Sequence, residues 1–252
     1  MNRTLGLAVR RDWGWPTAFL DYGYRVLAIE ADVHTGERHV APDIVLLNEE
    51  AAHMLVVDCK GGANVDQDQD GRYSKMVLEE LVEATHPPCE VVAHTMSYST
   101  SEGNEARIRD HANFALVVFG HDSVRVNGHL GHDGPTSRLQ RGVPLGGVDI
   151  PEEVVYPFSI HDSNDDIDYK VAGAVLTYLA VHPEMAMMHL ANLEVARGVL
   201  AVAHPLHSHF SASHRRELAR ATKQGIARLE MSGGLDRILG ALRRADETGR
   251  EP

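Results

Sequence analysis

Residues 42–60 read PDIVLLNEEAAHMLVVDCK, and this stretch decides the fold. Two apolar runs, 44–47 and 54–57, flank a short polar segment, which is the pattern of two β-strands joined in a hairpin. A turn at about Glu50 and Ala51 makes the numbers of opposed residues sum to 101. The sequence therefore predicts an antiparallel pair of strands with a defined register.

This register places Asp43 directly across from Asp58, and opposed residues of antiparallel strands have Cα atoms about 4.5 to 5.5 Å apart. Because side chains alternate along a strand, Asp58 and Lys60 point to the same face. Two carboxylates at the ends of apolar strands repel each other and lose hydration, which favours a bridging divalent cation. Carboxylate oxygens are ligands of Mg²⁺, and a nearby lysine can orient an attacking water. The pattern predicts metal-assisted hydrolysis of a phosphodiester.

Each of these residues also has a purely structural interpretation. Asp43 after a proline is typical of a strand start, and Tyr73 is typical of a helix core residue. Asp58 and Lys60 are typical of a surface ion pair worth under about 1 kcal/mol. The set still favours chemistry, because Asp58 and Lys60 end an unbroken apolar run where an unpaired acid is costly.

The flanking sequence predicts an α/β protein with a mixed sheet of about five strands and helices on its faces. The first three strands are expected to form an antiparallel meander, and helical spacing from Tyr73 to Leu81 follows a polar loop at 64–70. A short helix is expected between Pro16 and Gly23. The other predicted strands lie at 26–29, 90–93, 114–119 and 123–126, a helix is possible at 102–113, and loops dominate 120–168.

Two regions are expected, a core at 1–168 and a helical C-terminal region at 169–252. Helical patterns cover 171–179, 185–202 and 215–244, with interruptions at Gly225 and at Gly233-Gly234. The C-terminal helices either cover the sheet or form a small appendage, such as a winged helix.

The net charge of −12 argues against a protein that coats nucleic acid nonspecifically. Residues 211–252 nevertheless hold 9 Lys/Arg against 6 Asp/Glu, so Arg216 and Arg220 on a predicted helix are candidates for nucleic-acid backbone contacts, or for a solvated helix face. The chain contains no apolar run of membrane-spanning length and no secretory leader pattern. With two cysteines only, both expected to be free thiols, the sequence predicts a cytoplasmic protein without a membrane partner.

The spacing of these motifs resembles the PD-(D/E)xK nuclease superfamily, which has the restriction-endonuclease-like fold. The resemblance rests on Pro42-Asp43, the hairpin spacer and Asp58-Cys59-Lys60. Nine residues after Lys60, the segment from Gln69 to Tyr73 fits the Gln-x-x-x-Tyr element of the RecB-type and lambda-exonuclease-like branch. The similarity covers roughly residues 15–120.

The resemblance implies a Mg²⁺-dependent deoxyribonuclease, with Mn²⁺ as a possible substitute. Asp43 and Asp58 would hold the metal, Lys60 would assist the water, and Gln69 and Tyr73 would organise the substrate strand. The family commonly supplies another acid, for which Glu30 and Asp21 are the candidates here. DNA ends or single strands are the implied substrates, in repair, recombination or defence against foreign DNA, while RNA and the choice between endo and exo action stay open.

Two other functions remain open. The domain is alternatively a catalytically inactive binding or assembly module in a larger complex, with a protein partner or a second copy of itself. A phosphohydrolase acting through His132-Asp133 or His161-Asp162 is a third interpretation, although neither pair has the further helical histidines and acids of such sites. The histidines between His204 and His214 are expected to lie in a loop rather than to form a structural zinc site, and a transition-metal or DNA phosphate contact is the alternative.

Overall fold

The computed structural model describes residues 1–9, 15–36, 38–62, 65–110, 113–146, 163–182, 193–203 and 206–248. The chain divides into two compact units, residues 1–150 with 209–211 and residues 151–208 with 212–252. The described strands all belong to the first unit and coincide mostly with β-branched and aromatic residues. They are β1 (Tyr24–Ile29), β2 (Val33–Thr35), β3 (Arg38–Val40), β4 (Ile44–Asn48), β5 (His53–Lys60), β6 (Ala93–Ser101), β7 (Ala115–Phe119), β8 (Ser123–Asn127) and β9 (Val143–Pro144).

Helices accompany these strands in the first unit and make up the described elements of the second. Those of the first unit are α1 (Asn2–Val9), α2 (Gln67–Tyr73), α3 (Leu78–Thr85), α4 (Glu105–Arg109) and α5 (Asp133–Gln140). Those of the second are α6 (Asn164–Val181), α7 (Leu193–Ala203), α8 (Ala212–Met231) and α9 (Gly234–Thr248). Short 3-10 helices lie at Leu20–Tyr22, Glu102–Asn104 and His207–His209.

Seven of the strands form one mixed sheet in the order β1-β4-β5-β6-β7-β8-β9. Strand β6 pairs in parallel with both β5 and β7, whereas the other neighbours are antiparallel. Strands β2 and β3 form a separate hairpin. The predicted α/β class, with a mixed sheet flanked by helices, is confirmed at this level.

The predicted register of the central hairpin is confirmed. Ile44 pairs with Val57 and Asn48 pairs with His53, so opposed residue numbers sum to 101. All five positions of β4 and the first six of β5 are buried. Continuous burial is typical of strands covered on both faces, which explains why these runs lack polar alternation.

The structure corrects several of the predictions for the strands and helices of the first unit. The sheet has seven strands rather than about five. The expected antiparallel meander is confirmed, since β1 pairs with β4 and β4 pairs with β5 in antiparallel fashion, although the connection between β1 and β4 contains the hairpin of β2 and β3. The strand predicted at 90–93 instead begins at Ala93 and runs to Ser101 through polar residues. Those residues tolerate burial because their hydroxyls bond the adjacent backbone, as in Ser97 Oγ donating to the Val56 carbonyl at 3.2 Å.

The helix predicted from the spacing of Tyr73 and Leu81 is two helices, α2 and α3, separated by residues 74–77. The segment predicted as loop becomes helical at Gln67, because the Asp66 side chain accepts hydrogen bonds from two backbone N–H groups of the first turn. Within 120–168, the strand predicted at 123–126 is confirmed as β8, whereas residues 133–140 and 143–144, predicted as loops, form α5 and β9. Residues 147–162 lie outside the described residues.

The second unit shows why a glycine need not end a helix. Gly233, with φ of +69°, separates α8 from α9 as predicted. The interruption predicted at Gly225 is wrong, because this residue lies inside α8 where a Cβ would come within 3.1 Å of Val171 Cγ2 on α6. Gly225 thus permits close packing of two helices.

In the described ranges, no helix is long and apolar enough to cross a membrane.

Candidate active site

The candidate site lies where the central hairpin leaves the sheet core. Asp43 directly precedes β4, and Asp58 follows Val57 on β5, so the confirmed register brings the two carboxylates to the same edge. The Asp43 carboxylate accepts a short hydrogen bond from the Cys59 backbone N–H. The Asp58 side chain is buried, with 5 % of the residue exposed.

Asp58 and Lys60 form an ion pair that helix α2 completes. Lys60 Nζ lies 2.6 Å from Asp58 Oδ2 and donates a hydrogen bond to Gln69 Oε1 at 2.8 Å. The Tyr73 hydroxyl donates to Asp58 Oδ1 at 3.0 Å, and Gln69 Nε2 lies 3.4 Å from the Tyr73 oxygen. Asp43, Asp58, Lys60, Gln69 and Tyr73, predicted from sequence motifs alone, are therefore neighbours in space.

Helix geometry explains why two residues of α2 reach this edge. Gln69 and Tyr73 are four residues apart, so they lie on one face of the helix. The Asp66 side chain fixes the start of the helix by accepting from Asp68 N at 2.9 Å and Gln69 N at 3.2 Å. Tyr73 is 2 % exposed and anchors the same face in the core.

Burial controls the ionisation of the site. Desolvation, and then repulsion from Asp58, raise the pKa of Asp43 to about 6, although the hydrogen bond from Cys59 opposes this rise. Burial and the Asp58 charge also raise the pKa of Tyr73, so its hydroxyl keeps its proton and donates a hydrogen bond to Asp58. Burial raises the pKa of the Cys59 thiol to about 12, which favours the neutral thiol at neutral pH.

Sequence reasoning missed three residues beneath the lysine. Lys60 Nζ lies 5.0 Å from the centroid of the Tyr98 ring. The Tyr98 hydroxyl donates to Asp70 Oδ1 at 2.8 Å, and Asn113 Nδ2 lies 2.6 Å from Asp70 Oδ2. The available signal was Asp70 itself, an acid one residue after Gln69 that shares the inward helix face with Tyr73.

The donor set at this edge fits a hard cation that keeps water and substrate ligands. Mg²⁺ is usually bound by one or two carboxylates, supplemented by water and phosphate oxygens. Asp43 and Asp58 supply two carboxylates, and a divalent cation would offset both the desolvation and the repulsion from Asp58 that raise the pKa of Asp43. Across the described residues, no group of three or more His, Cys, Asp or Glu side chains is arranged to hold a metal.

The two candidates for a third acid lie in different places. Glu30, with φ of 52°, directly follows β1, and its N–H donates to the Asp43 carbonyl at 3.0 Å. Asp21 precedes β1 at the opposite end of the sheet, where its carboxylate accepts a hydrogen bond from Thr17 Oγ1 at 2.8 Å and pairs with Arg138. Glu30 is therefore the candidate at the correct edge.

The remaining candidates lie elsewhere. Arg216 and Arg220 are exposed on α8 of the second unit. His132 is the N-cap residue of α5, where its Nδ1 accepts the Gly134 N–H at 3.2 Å. The Asp133 side chain is 97 % exposed and pairs with His129. His161-Asp162 and His204 lie outside the described residues.

Comparison with known proteins adds one match. Residues 1–131 match the family model described as the MJECL32 domain. No curated protein and no solved structure matches this chain. The matched range contains the five motif residues of the candidate site.

Proposed function

We propose that this chain, which belongs to the MJECL32 domain family, is a Mg²⁺-dependent deoxyribonuclease with a restriction-endonuclease-like core. One observation carries the proposal. The residues that resemble the PD-(D/E)xK and Gln-x-x-x-Tyr motifs come from the start of β4, from β5 and from α2, and they meet at one sheet edge. If these residues had no common function, their meeting at one place would require a coincidence at several positions at once.

The proposed reaction is hydrolysis of a P–O3′ bond. Asp43 and Asp58 would hold the ion, which when bound makes a water more acidic and offsets phosphate charge. Lys60 orients the attacking water and counters the charge that develops on the phosphate in the transition state. Oxygen from water bonds to phosphorus as the P–O3′ bond breaks, and the 3′ oxygen takes a proton. The products carry a 5′-phosphate and a 3′-hydroxyl.

Residues of α2 keep this machinery in place. Gln69 accepts a hydrogen bond from Lys60, and Tyr73 donates one to Asp58, so these two residues hold the lysine and the carboxylate in place. The family resemblance implies that they also organise the substrate strand. The Gln-x-x-x-Tyr element supports action on DNA ends or single strands, in repair, recombination or defence. Arg216 and Arg220 would contact the DNA backbone.

An inactive binding or assembly module is the second candidate, and two observations favour it. Within the described ranges no third acid joins Asp43 and Asp58, and the close Lys60 contact already offsets part of their charge. The two candidates differ in their response to metal. An active site gains thermal stability from Mg²⁺ or Mn²⁺ because the ion binds the folded state, whereas an inactive module does not.

Cleavage assays test the proposal. Linear, circular and single-stranded DNA, and RNA, are incubated with Mg²⁺ or Mn²⁺ and the wild-type protein, Asp58→Ala or Asp133→Ala. We expect the wild type and Asp133→Ala to cut DNA and Asp58→Ala to be inactive. Loss of activity in Asp133→Ala with retention in Asp58→Ala would instead support the phosphohydrolase interpretation, and absence of cleavage by the wild type would contradict the proposal.

A further inference from the structure

Asp70 is a buried carboxylate that the proposed reaction does not use. It is 4 % exposed on the inner face of α2. Burying a carboxylate is costly unless its oxygens accept hydrogen bonds, and here they accept from Tyr98 at 2.8 Å and Asn113 at 2.6 Å. Both donors are neutral, so the negative charge of Asp70 has no adjacent cation among its hydrogen-bond partners.

Tyr98 connects this carboxylate to the active site. It pairs in register with Asp58 on the neighbouring strand, and it is fully buried. Its ring centroid lies 5.0 Å from Lys60 Nζ, within the range of a cation–π interaction. The ring also packs edge-on against Phe114, with centroids 5.5 Å apart, so two contacts fix its orientation.

Lys60 is therefore held from two directions by one helix. Gln69 contacts Nζ directly, and the next residue, Asp70, fixes the aromatic ring beside the same ammonium group. An apolar pair would attach α2 to β6 without desolvating a carboxylate, and such replacements are often neutral or stabilising. Unlike an apolar side chain, the Asp70 carboxylate accepts a hydrogen bond from the Tyr98 hydroxyl and adds a negative potential near the lysine.

We infer that Asp70 is a positioning residue, which acts through Tyr98 to hold the Lys60 ammonium where the proposed reaction needs it. This inference rests on the proposed nuclease function. A positioning role predicts a lower kcat with little change in KM, because Lys60 acts mainly in the transition state. Loss of a cation–π contact corresponds to a decrease of about 2- to 30-fold.

A double-mutant cycle tests the route through Lys60. We expect Tyr98→Leu and Asp70→Ala to lower kcat within that range, and to change it less than about 2-fold when Lys60→Ala is already present. Tyr98→Phe keeps the ring but removes the hydroxyl that Asp70 holds, so it should lower kcat as Asp70→Ala does. Asp70→Asn, which keeps an acceptor, should retain most of the activity and guards against misfolding of the larger changes. Equal effects with and without Lys60 would overturn the inference, because a merely structural role is additive.

Chemical labelling separates this inference from the nuclease proposal. The Lys60 side chain is 12 % exposed, so its acylation by an amine reagent, followed by peptide mass spectrometry, should be slow relative to the exposed Lys75 and Lys223. Asp70→Ala should accelerate Lys60 acylation severalfold. Glu105→Gln is the matched control, since Glu105 is also a buried acid bonded by side chains but shares no hydrogen bond with this site.

The two readouts give distinguishable failures. If the wild type cuts no nucleic acid but Asp70→Ala alone exposes Lys60, the nuclease proposal fails and the Asp70–Tyr98–Lys60 contact is supported. If the wild type cuts DNA but Asp70→Ala changes neither Lys60 acylation nor kcat, the positioning role fails and the nuclease proposal stands.

Discussion

Replacing Asp43 with Asn removes one charge from the buried carboxylate pair while keeping an oxygen that can accept the Cys59 N–H. Burial and Asp58 raise the pKa of Asp43 from 3.8 to about 6. Between these values the folded state binds a proton more tightly than the unfolded state, so wild-type stability falls as pH rises from about 4 to 6. The shift corresponds to at most about 3 kcal/mol in the free energy of unfolding.

The expected result follows from that sign. Without divalent metal, Asp43→Asn should be more stable than the wild type by up to about 3 kcal/mol above pH 6, and the difference should nearly vanish near pH 4. The same variant should lose nuclease activity, so stability and function should change in opposite directions.

Urea denaturation between pH 4 and 8 in EDTA measures this difference. Asp133→Asn provides the matched control, because its exposed carboxylate should give a small difference that does not follow the same pH window. If Asp43→Asn were less stable than the wild type at pH 7.5, or if the difference did not change with pH, the account of a repelling, desolvated carboxylate pair would be refuted.

Three further predictions address other parts of the chain. Burial lowers the pKa of His53 from 6.5 to about 4, so the free energy of unfolding should decrease as pH falls through that window. In the Asp43→Asn background, His53→Gln should make this decrease smaller when it is measured by urea denaturation. The double variant Arg216→Glu/Arg220→Glu should weaken DNA binding. It should also lower the slope of log K against log salt by the amount that about two phosphate contacts contribute, and an unchanged slope would exclude these arginines from the interface. Gly225→Leu should lower the free energy of unfolding by about 1 to 3 kcal/mol by overpacking α6, and an unchanged urea midpoint would contradict the close-packing role.

The central hairpin was predictable because its signal is local. Unbroken apolar runs require buried strands, and a short polar connection between them leaves little freedom in register. Asp43 and Asp58 could therefore be placed together from spacing alone. The inward position of Gln69 and Tyr73 was predictable through the family resemblance, because their four-residue spacing gives one helix face.

The rest of the first unit depends on tertiary contacts that spacing does not reveal. Strand β6 is polar in sequence, and its burial depends on hydroxyl groups bonding to neighbouring strands, as Thr100 does with the Lys60 carbonyl at 3.1 Å. The pairing of Tyr98 with Asp70 joins residues 28 positions apart. No local periodicity indicates such a pair, so Tyr98 could not be predicted as the support beneath Lys60, and Asp70 on the inward face of α2 was the single available signal.

Single-turnover cleavage of end-labelled linear DNA, started by adding Mg²⁺, tests the central claim most directly. We expect the wild type to release products with a 5′-phosphate and a 3′-hydroxyl, and Lys60→Ala to react about 100-fold more slowly or worse, since positioned proton-transfer and charge-stabilising groups commonly contribute this much. Cleavage at the wild-type rate by Lys60→Ala, or no Mg²⁺-dependent cleavage by the wild type, would contradict the account.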